Sequence, residues 1–159
     1  MIVDNIVIEV EGIDKTGKDT LVKYIANLSD YKYTIHARGI LSQLVYNDKY
    51  NRDYTYRLSH KPLIILLDVD DDDHAIRCKL TNEPAINKNM DNYAFIKYSE
   101  LLEYYGFTVL RYNTSELTPI NIAYDVLNYI QKNCKSEDFI CNNVYEISNL
   151  NIYKKGIKK

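Results

Sequence analysis

The chain has 159 residues, of which 46% are hydrophobic and 26% are charged, and its formal net charge is −2. This length suits one domain with a buried core, and the composition excludes a globally disordered chain. The near-neutral charge excludes an overall basic nucleic-acid-binding surface, although a local basic patch stays open. No apolar run reaches the roughly 18 residues of a membrane span. No secretory leader is expected, because the N-terminus lacks a basic start and a small-residue cleavage site.

Residue usage bears on the compartment and the source of the protein. The cysteines Cys78, Cys134 and Cys141 show no metal-binding spacing. We therefore interpret them as free thiols in a reducing compartment, most simply the cytoplasm. The chain has 16 tyrosines and no tryptophan, and Asn, Ile and Lys are abundant. Because these abundant residues have AT-rich codons, the bias indicates an AT-rich genome, such as that of a virus. For a viral protein the compartment would be the host cytoplasm.

Hydrophobic periodicity predicts the secondary structure. Continuous β-branched and apolar runs indicate buried strands, and apolar residues on one helical face indicate helices. In chain order the first elements are a strand at 5–11, a helix at 18–28, a strand at 31–36, a helix at 40–47, an irregular segment or loose helix at 48–61 and a strand at 63–69. The remaining ones are a helix at 71–80, a loop at 81–90, a helix at 91–105, a strand at 107–113 and a helix capped by Thr118 that begins at Pro119.

Strands that alternate with helices predict an α/β fold of three layers, with a parallel sheet covered by helices on both faces. Residues 133–159 do not continue this alternation, so the sequence divides into a domain at 1–132 and a polar C-terminal extension at 133–159. Five apolar residues indicate that part of the extension packs on the domain: Phe139, Ile140, Val144, Ile147 and Leu150.

The first predicted strand leads into a segment with the spacing of a phosphate-binding loop, which is Gly, four residues, Gly, Lys. Glycines allow the backbone to curl so that its amides point at phosphate oxygens, and the following helix adds the positive end of its dipole. The ammonium of Lys18 is expected to reach the β- and γ-phosphates of a nucleotide such as ATP. The predicted nucleotide-binding residues are Gly12, Asp14, Lys15, Thr16, Gly17, Lys18, Asp19 and Thr20.

Asp19 departs from this motif, which has a Ser or Thr after the lysine as a ligand of Mg²⁺. A carboxylate is also a good magnesium ligand, but it repels a triphosphate unless the cation lies between them. Asp19 is therefore either an altered metal ligand, which is the interpretation we favour, or a sign of lost catalysis. The acidic run at 70–73 is interpreted as a helix start favoured by the helix dipole and not as a metal site.

Four segments of the chain, in the same order, resemble thymidylate kinases and related nucleoside monophosphate kinases. These segments are residues 11–20, 38–46, 66–69 and 105–119. The resemblance covers most of residues 5–132 and implies a P-loop kinase-like domain with a P-loop NTPase-type parallel sheet. It also implies an ATP- and Mg²⁺-dependent phosphotransferase that phosphorylates a deoxynucleoside monophosphate.

The resemblance implies roles for individual residues. Asp14 would approach the sugar hydroxyl of the acceptor, Lys15 would aid phosphoryl transfer, and Arg38 would grip the acceptor phosphate. With Lys18, the residues Lys15 and Arg38 form the predicted catalytic set. Asp14 as a loop cap and Arg38 as a surface charge are the competing interpretations. The family has an Asp that helps to hold Mg²⁺ where this chain has Ala37, and Asp19 would compensate for its loss.

Two regions are shorter than in the family, which leaves the acceptor open. The helical insertion that normally holds the acceptor is missing after the first helix, and the lid expected at 81–92 is short and lacks arginine. One alternative acceptor is a nucleotide within DNA or RNA, contacted by the basic and Tyr-rich segment 46–57. A catalytically silent nucleotide-binding or regulatory protein is another alternative. A homodimer is also left open.

Overall fold

The chain alternates between strands and helices, as seen in a computed structural model that describes residues 6–52, 56–83 and 89–153. The first elements are β1 Val7–Glu11, α1 Lys18–Leu28, β2 Thr34–Ala37, α2 Ile40–Lys49, β3 Tyr56–His60 and β4 Leu63–Asp68. They are followed by α3 Asp71–Leu80, α4 Asn89–Tyr104, β5 Val109–Asn113, α5 Pro119–Asn133, a short 3-10 helix at Ser136–Phe139 and β6 Ile140–Ile147.

Four strands form a parallel sheet in the order β2-β1-β4-β5. The pairing of β1 with β2 runs from Val7 opposite Thr34 to Val10 opposite Ala37. Because parallel strands end at the same edge of the sheet, the segments that follow β1, β2, β4 and β5 gather at its carboxyl edge. In open α/β sheets this edge is where ligands bind.

Helices cover both faces of the sheet, which confirms the predicted three-layer α/β fold. The side chains of β4 show how the two layers are divided. Ile64 and Leu66 pack with α2 and α4, whereas Leu63, Ile65 and Leu67 pack with α1 and α5. Both faces of β4 are therefore buried and apolar, as expected for a central parallel strand.

Most predicted elements are confirmed, with shifts of a few residues at their ends. The helices α1 and α3 begin and end where the sequence predicts them. Strand β2 begins three residues later than predicted, at Thr34. The reason is that Asp30 and Tyr31 adopt left-handed backbone conformations, with φ angles of 56° and 58°, and extend the turn after α1. Residue 5 of the first predicted strand and residues 84–88 of the predicted loop lie outside the described residues.

The prediction of an irregular or loosely helical segment at 48–61 is wrong for residues 56–60, whereas residues 53–55 lie outside the described residues. Tyr56–His60 forms β3, which pairs antiparallel with β6 and places Tyr56 opposite Ile147. The partner strand lies about ninety residues away in the chain, and the YRLSH sequence of β3 lacks an apolar run. No local pattern therefore marks it as a strand.

A buried carboxylate attaches the C-terminal segment to the rest of the protein. Asp48, near the end of α2, is 2% exposed. It accepts hydrogen bonds from the Tyr98 hydroxyl at 2.7 Å and from the backbone amides of Ile152 and Tyr153 at 2.9 and 3.3 Å. Residues up to Tyr153 thus pack on the body, while the division of the chain at residue 132 stays a prediction.

The apolar side chains of the extension pack as predicted where the structure describes them. Phe139 and Ile147 are buried, and Leu150 packs partly against the core. The side chains of Ile140 and Val144, like the thiol of Cys141, lie outside the described residues. The other two cysteines are free and buried.

The acceptor region is reduced, as the sequence indicates. Residues 29–33 alone separate α1 from β2, which leaves no room for a helical insertion. Of the predicted lid, residues 84–88 are outside the described part of the chain. In that described part, every helix is too short or too polar to cross a membrane.

Candidate functional site

The loop between β1 and α1 is curled by residues with positive φ angles. These are Gly12, Lys15 and Gly17, at 142°, 68° and 92°. The buried hydroxyl of Thr16 fixes the curl by donating to the Ile13 carbonyl at 2.9 Å. A left-handed conformation costs a non-glycine residue about 1–2 kcal/mol. Residues that adopt such a strained conformation are found most often at functional sites.

Lys18 lies under this loop, at the first position of α1. Its side chain is almost covered, with 7% of the residue exposed. The Nζ atom donates to the carbonyls of Gly12 and Ile13, at 2.9 and 2.7 Å. The pKa of Lys18 is lowered to about 8, chiefly by burial and secondly by the charge of Arg38. A phosphate group would offer this buried cation charged oxygens in place of neutral carbonyls, and charged acceptors form the stronger hydrogen bonds.

Two contacts connect the loop to α3 and to the segment after β5. The Lys15 ammonium forms an ion pair with the Glu83 carboxylate at 2.7 Å. Arg77 of α3 donates to the Lys15 carbonyl at 2.7 Å and to the Thr114 hydroxyl at 3.1 Å. The sequence prediction missed Arg77, because the arginine lies 62 residues from its partner in the loop and no local pattern distinguishes it.

A cleft of about 390 Å³ opens beside these contacts. One wall comes from the phosphate-binding loop and α1, and the other from α3 and the segment between β5 and α5. Its lining combines the apolar side chains of Leu80 and Pro119 with hydroxyl and basic groups. The lining residues are Lys15, Thr16, Gly17, Thr20, Arg77, Leu80, Thr81, Thr114 and Pro119.

Arg38 follows β2 and reaches the loop from the other side of β1. Its backbone is also left-handed, with a φ angle of 77°, and its amide donates to the Val10 carbonyl at 2.8 Å. The guanidinium, whose side chain is 46% exposed, forms an ion pair with Asp14 at 2.7 Å. That hydrogen bond holds the pKa of Asp14 below its ordinary value. Arg38 also donates to the Tyr46 hydroxyl.

A second cleft, of about 350 Å³, lies beside Arg38 along α2. It is separate from the first cleft, because it follows β2 whereas the first cleft lies on the β4 and β5 side of the loop. Of its lining residues, the sequence predicted Arg38 as a site residue and assigned segment 46–57, which includes Tyr46 and Arg52, only to the alternative acceptor within DNA or RNA. The lining consists of Arg38, Gly39, Ser42, Gln43, Tyr46, Asn47 and Arg52.

Two carboxylates of β1 face the helix α2, so the strand is apolar on one face only. The residues that pack with α1 and α5 are Ile6, Ile8 and Val10. Side chains alternate along a strand, and Glu9 and Glu11 therefore point to the opposite face. The sequence contains this alternation, but we did not predict a role for either glutamate.

The two glutamates cap the N-terminus of α2, where backbone amides have no partner within the helix. Glu9 accepts from the Ile40 amide at 3.0 Å, and Glu11 accepts from the amide of Ser42 at 3.2 Å and from its hydroxyl. Burial raises the pKa of Glu11. Burial also raises the pKa of Glu9 to about 7, opposed by the Ile40 hydrogen bond and aided by repulsion from Glu11. Gly39 makes room for Glu9, since a Cβ at this glycine would lie 2.1 Å from the Glu9 Cδ atom.

The raised pKa of Glu9 predicts a pH-dependent stability. The folded protein holds the Glu9 proton up to about pH 7, whereas the unfolded chain releases it near 4.5. The free energy of unfolding should therefore fall as the pH rises from about 4.5 to about 7, by about 3 kcal/mol at most from this group. Glu9→Gln should flatten that part of the profile. Urea denaturation across this range measures the effect, and Glu116→Gln, at an exposed position, is the matched control. A Glu9→Gln profile as steep as that of the unmodified protein would contradict the prediction.

Asp19 lies in the first turn of α1 and is exposed. Ala37, at the end of β2, supplies no carboxylate to the loop. Among the described residues, no three His, Cys, Asp or Glu side chains come together as a metal site. The acidic run at 70–73 gives the N-cap and the first turn of α3, in agreement with its interpretation as a helix start.

Comparison with known proteins identifies the fold. No model of a protein family and no curated protein matches the sequence. Among solved structures, the chain is similar to the YorR protein from Bacillus subtilis in complex with phosphorylated GDP, with a TM-score of 0.60 at 17% sequence identity. The match covers 79% of this chain and 95% of that chain. The two proteins share a fold, and the parallel sheet flanked by helices is consistent with the predicted P-loop NTPase-type fold.

Proposed function

We propose that this protein is a nucleotide kinase that transfers the γ-phosphoryl group of ATP to a deoxynucleoside monophosphate. The observation that carries the proposal is a pair of clefts connected to one phosphate-binding loop, residues 12–17. The first cleft is lined by the loop itself, and the second is connected to it through Arg38, which pairs with Asp14 of the loop. A kinase has to hold a donor and an acceptor with their phosphates close together, because positioning and charge neutralisation supply most of its catalysis. One cleft lined by the loop and a second one joined to it by the Arg38–Asp14 ion pair support such an arrangement.

The first cleft is the proposed site of the donor nucleotide. Lys18 and the N-terminus of α1 would bind the β- and γ-phosphates. The nucleoside would occupy the cleft beside Arg77 and Thr114. Lys15 would release the Glu83 carboxylate and bind the phosphoryl group that is transferred. The nucleotide complex of the YorR protein, which has the same fold, supports a nucleotide as the ligand.

The second cleft is the proposed site of the acceptor. Arg38 lies at its end nearest the loop and would exchange the Asp14 carboxylate for the acceptor phosphate. The released Asp14 would then be available to the sugar hydroxyl. Gln43 brings an amide group and Tyr46 a half-buried aromatic ring to the lining, and these suit a nucleobase, which has polar edges and flat faces.

A panel of acceptors tests the proposal. Labelled ATP is incubated with the protein and with nucleosides, deoxynucleoside monophosphates, GMP, GDP or short oligonucleotides, and the labelled products are separated. We expect transfer to a deoxynucleoside monophosphate. Transfer to GMP or GDP alone would show that the acceptor is a guanine nucleotide, the class bound by the YorR protein. ATP binding without transfer to any acceptor would contradict the proposal and favour a catalytically silent nucleotide-binding protein.

The residues at the loop fit a magnesium ion that arrives with the nucleotide and not a resident one. Magnesium in kinase sites is held by one or two carboxylates together with substrate phosphates and water. Asp19 can supply one such carboxylate, and among the described residues no three His, Cys, Asp or Glu side chains come together as a resident metal site. When bound, the ion would neutralise charge on the phosphates.

Asp19 should make ATP binding unusually dependent on magnesium. Two like charges about 4 Å apart repel by about 4 kcal/mol at an effective dielectric constant of 20. We therefore expect a chelator to weaken ATP binding more than tenfold in the unmodified protein and less in Asp19→Ser. Asp19→Ala should lose activity, and Asp19→Ser combined with Ala37→Asp should recover it. Calorimetric titration of ATP with magnesium and then with EDTA measures the affinities. Equal affinities in the unmodified protein would refute the ligand role of Asp19.

A further inference from the structure

The surface of α2 and the turn that follows it carries a ridge of aromatic and basic side chains, formed by Tyr46, Lys49, Tyr50 and Arg52. The rings of Tyr46 and Tyr50 are stacked, with their centroids 6.3 Å apart and 19° between their planes. The Lys49 ammonium lies 5.9 Å from each ring centroid. The Arg52 guanidinium carbon lies 5.4 Å from the centroid of Tyr50. The four side chains therefore form one continuous surface.

Core packing accounts for only part of this ridge. Tyr46 meets the buried ring of Phe95 edge-on, with centroids 6.1 Å apart and an interplanar angle of 81°. Tyr50 is 58% exposed and is not part of the core clusters. Packing against the core therefore accounts for Tyr46 and leaves Tyr50 unexplained.

No carboxylate of the described residues balances the charge of Arg52 at the far end of the ridge. Lys49 forms an ion pair with Asp91 at 2.9 Å. Arg52 forms no ion pair with any described residue, and its Nη1 atom lies 3.4 Å from the side-chain oxygen of Asn47. The guanidinium of Arg52 can bind a phosphate, and the exposed ring of Tyr50 beside it can stack on a base.

The ridge continues the second cleft of the site. Tyr46 and Arg52 line this cleft, and Arg38 is at the end nearest the phosphate-binding loop. The helix α2 has 10 residues and is therefore about 15 Å long. A mononucleotide with its phosphate at Arg38 and its base beside Tyr46 would leave Tyr50 and Arg52 for a further nucleotide.

We propose that this ridge binds single-stranded nucleic acid, and that the end nucleotide of the strand enters the cleft beside Arg38. The proposal rests on the proposed function, because it names the substrate class of the same site. Bases stack on exposed aromatic rings whatever their sequence, and basic side chains bind the phosphates between them. In the transfer, an oxygen of the strand's terminal phosphate bonds to the γ-phosphorus of ATP as the bond to the β-phosphate oxygen breaks, and ADP leaves.

Fluorescence anisotropy tests the binding with a labelled dT strand of about ten nucleotides, a length within the range of single-strand sites. Tyr50→Ala should weaken binding about tenfold through lost stacking, with an unchanged salt dependence. Arg52→Gln should weaken binding and lower the slope of log affinity against log salt by about 0.7. The matched controls, Tyr104→Ala at an 83% exposed tyrosine of α4 and Lys23→Gln at an exposed lysine of α1, should bind like the unmodified protein.

Three results would overturn the inference. The first is that the dT strand does not bind. The second is that Tyr50→Ala and Arg52→Gln both bind the strand as tightly as the unmodified protein. The third is that a polyglutamate chain competes as well as the dT strand, which would show a surface for acidic chains in general. ATP binding and transfer to mononucleotides are measured on the same samples. If these persist while the dT strand does not bind, the proposed function stands and only the strand is excluded. If ATP does not bind, the proposed function fails.

Discussion

Replacing Lys18 with alanine is expected to weaken ATP binding about 100-fold and to abolish phosphoryl transfer to every acceptor. The buried Nζ atom already donates to two carbonyls of the loop, those of Gly12 and Ile13. A bound phosphate would replace these carbonyls as the acceptor of the Lys18 hydrogen bonds. Its oxygens are charged and the site is largely shielded from water, so the new hydrogen bonds would be strong. Titration calorimetry with ATP measures the loss of affinity, and the release of ADP measures the loss of transfer.

The matched control for this substitution is Lys23→Ala, which removes an exposed lysine from the same helix. It should leave both ATP binding and transfer unchanged. Circular dichroism checks that the Lys18→Ala protein is folded. A folded Lys18→Ala protein that binds ATP as tightly as the unmodified one would contradict the interpretation of residues 12–17 and the start of α1 as a phosphate-binding site.

Gly12→Ala should lower the free energy of unfolding by about 3 kcal/mol or more. Gly12 has a φ angle of 142°, a conformation that L side chains rarely adopt. An added Cβ would also lie 2.5 Å from the carbonyl oxygen of Leu67 and 3.2 Å from the hydroxyl of Thr16. Leu67 is in β4 at the centre of the sheet, and its backbone cannot move away without disturbing strand pairing. Urea denaturation measures the loss.

Gly17→Ala separates the clash from the backbone strain. Gly17 also has a positive φ angle, of 92°, but an added Cβ would have no heavy atom within 4 Å. This variant should lose only about 1–2 kcal/mol, the cost of a left-handed conformation for alanine. If both alanine variants lose the same stability, the contact with Leu67 is not the cause of the effect.

The elements that form the phosphate-binding loop could be predicted from the sequence alone. The β-branched strand, the glycine spacing and the apolar face of α1 are all local patterns within residues 5–28. The same holds for α5, which begins at Pro119 after the capping side chain of Thr118, and for the acidic start of α3. Local patterns suffice here, because caps, turns and amphipathic faces depend on residues close together in the chain.

Only the tertiary structure decides the features that depend on distant partners. The polar strand β3 exists because β6 supplies its hydrogen bonds, and Arg77 meets the loop across 62 residues of chain. The caps of α2 are a further case. Glu9 and Glu11 lie in a buried strand, and the distant amides of Ile40 and Ser42 hold them there. A carboxylate can stay inside a protein only when such donors reach it, and only the folded chain shows which donors do.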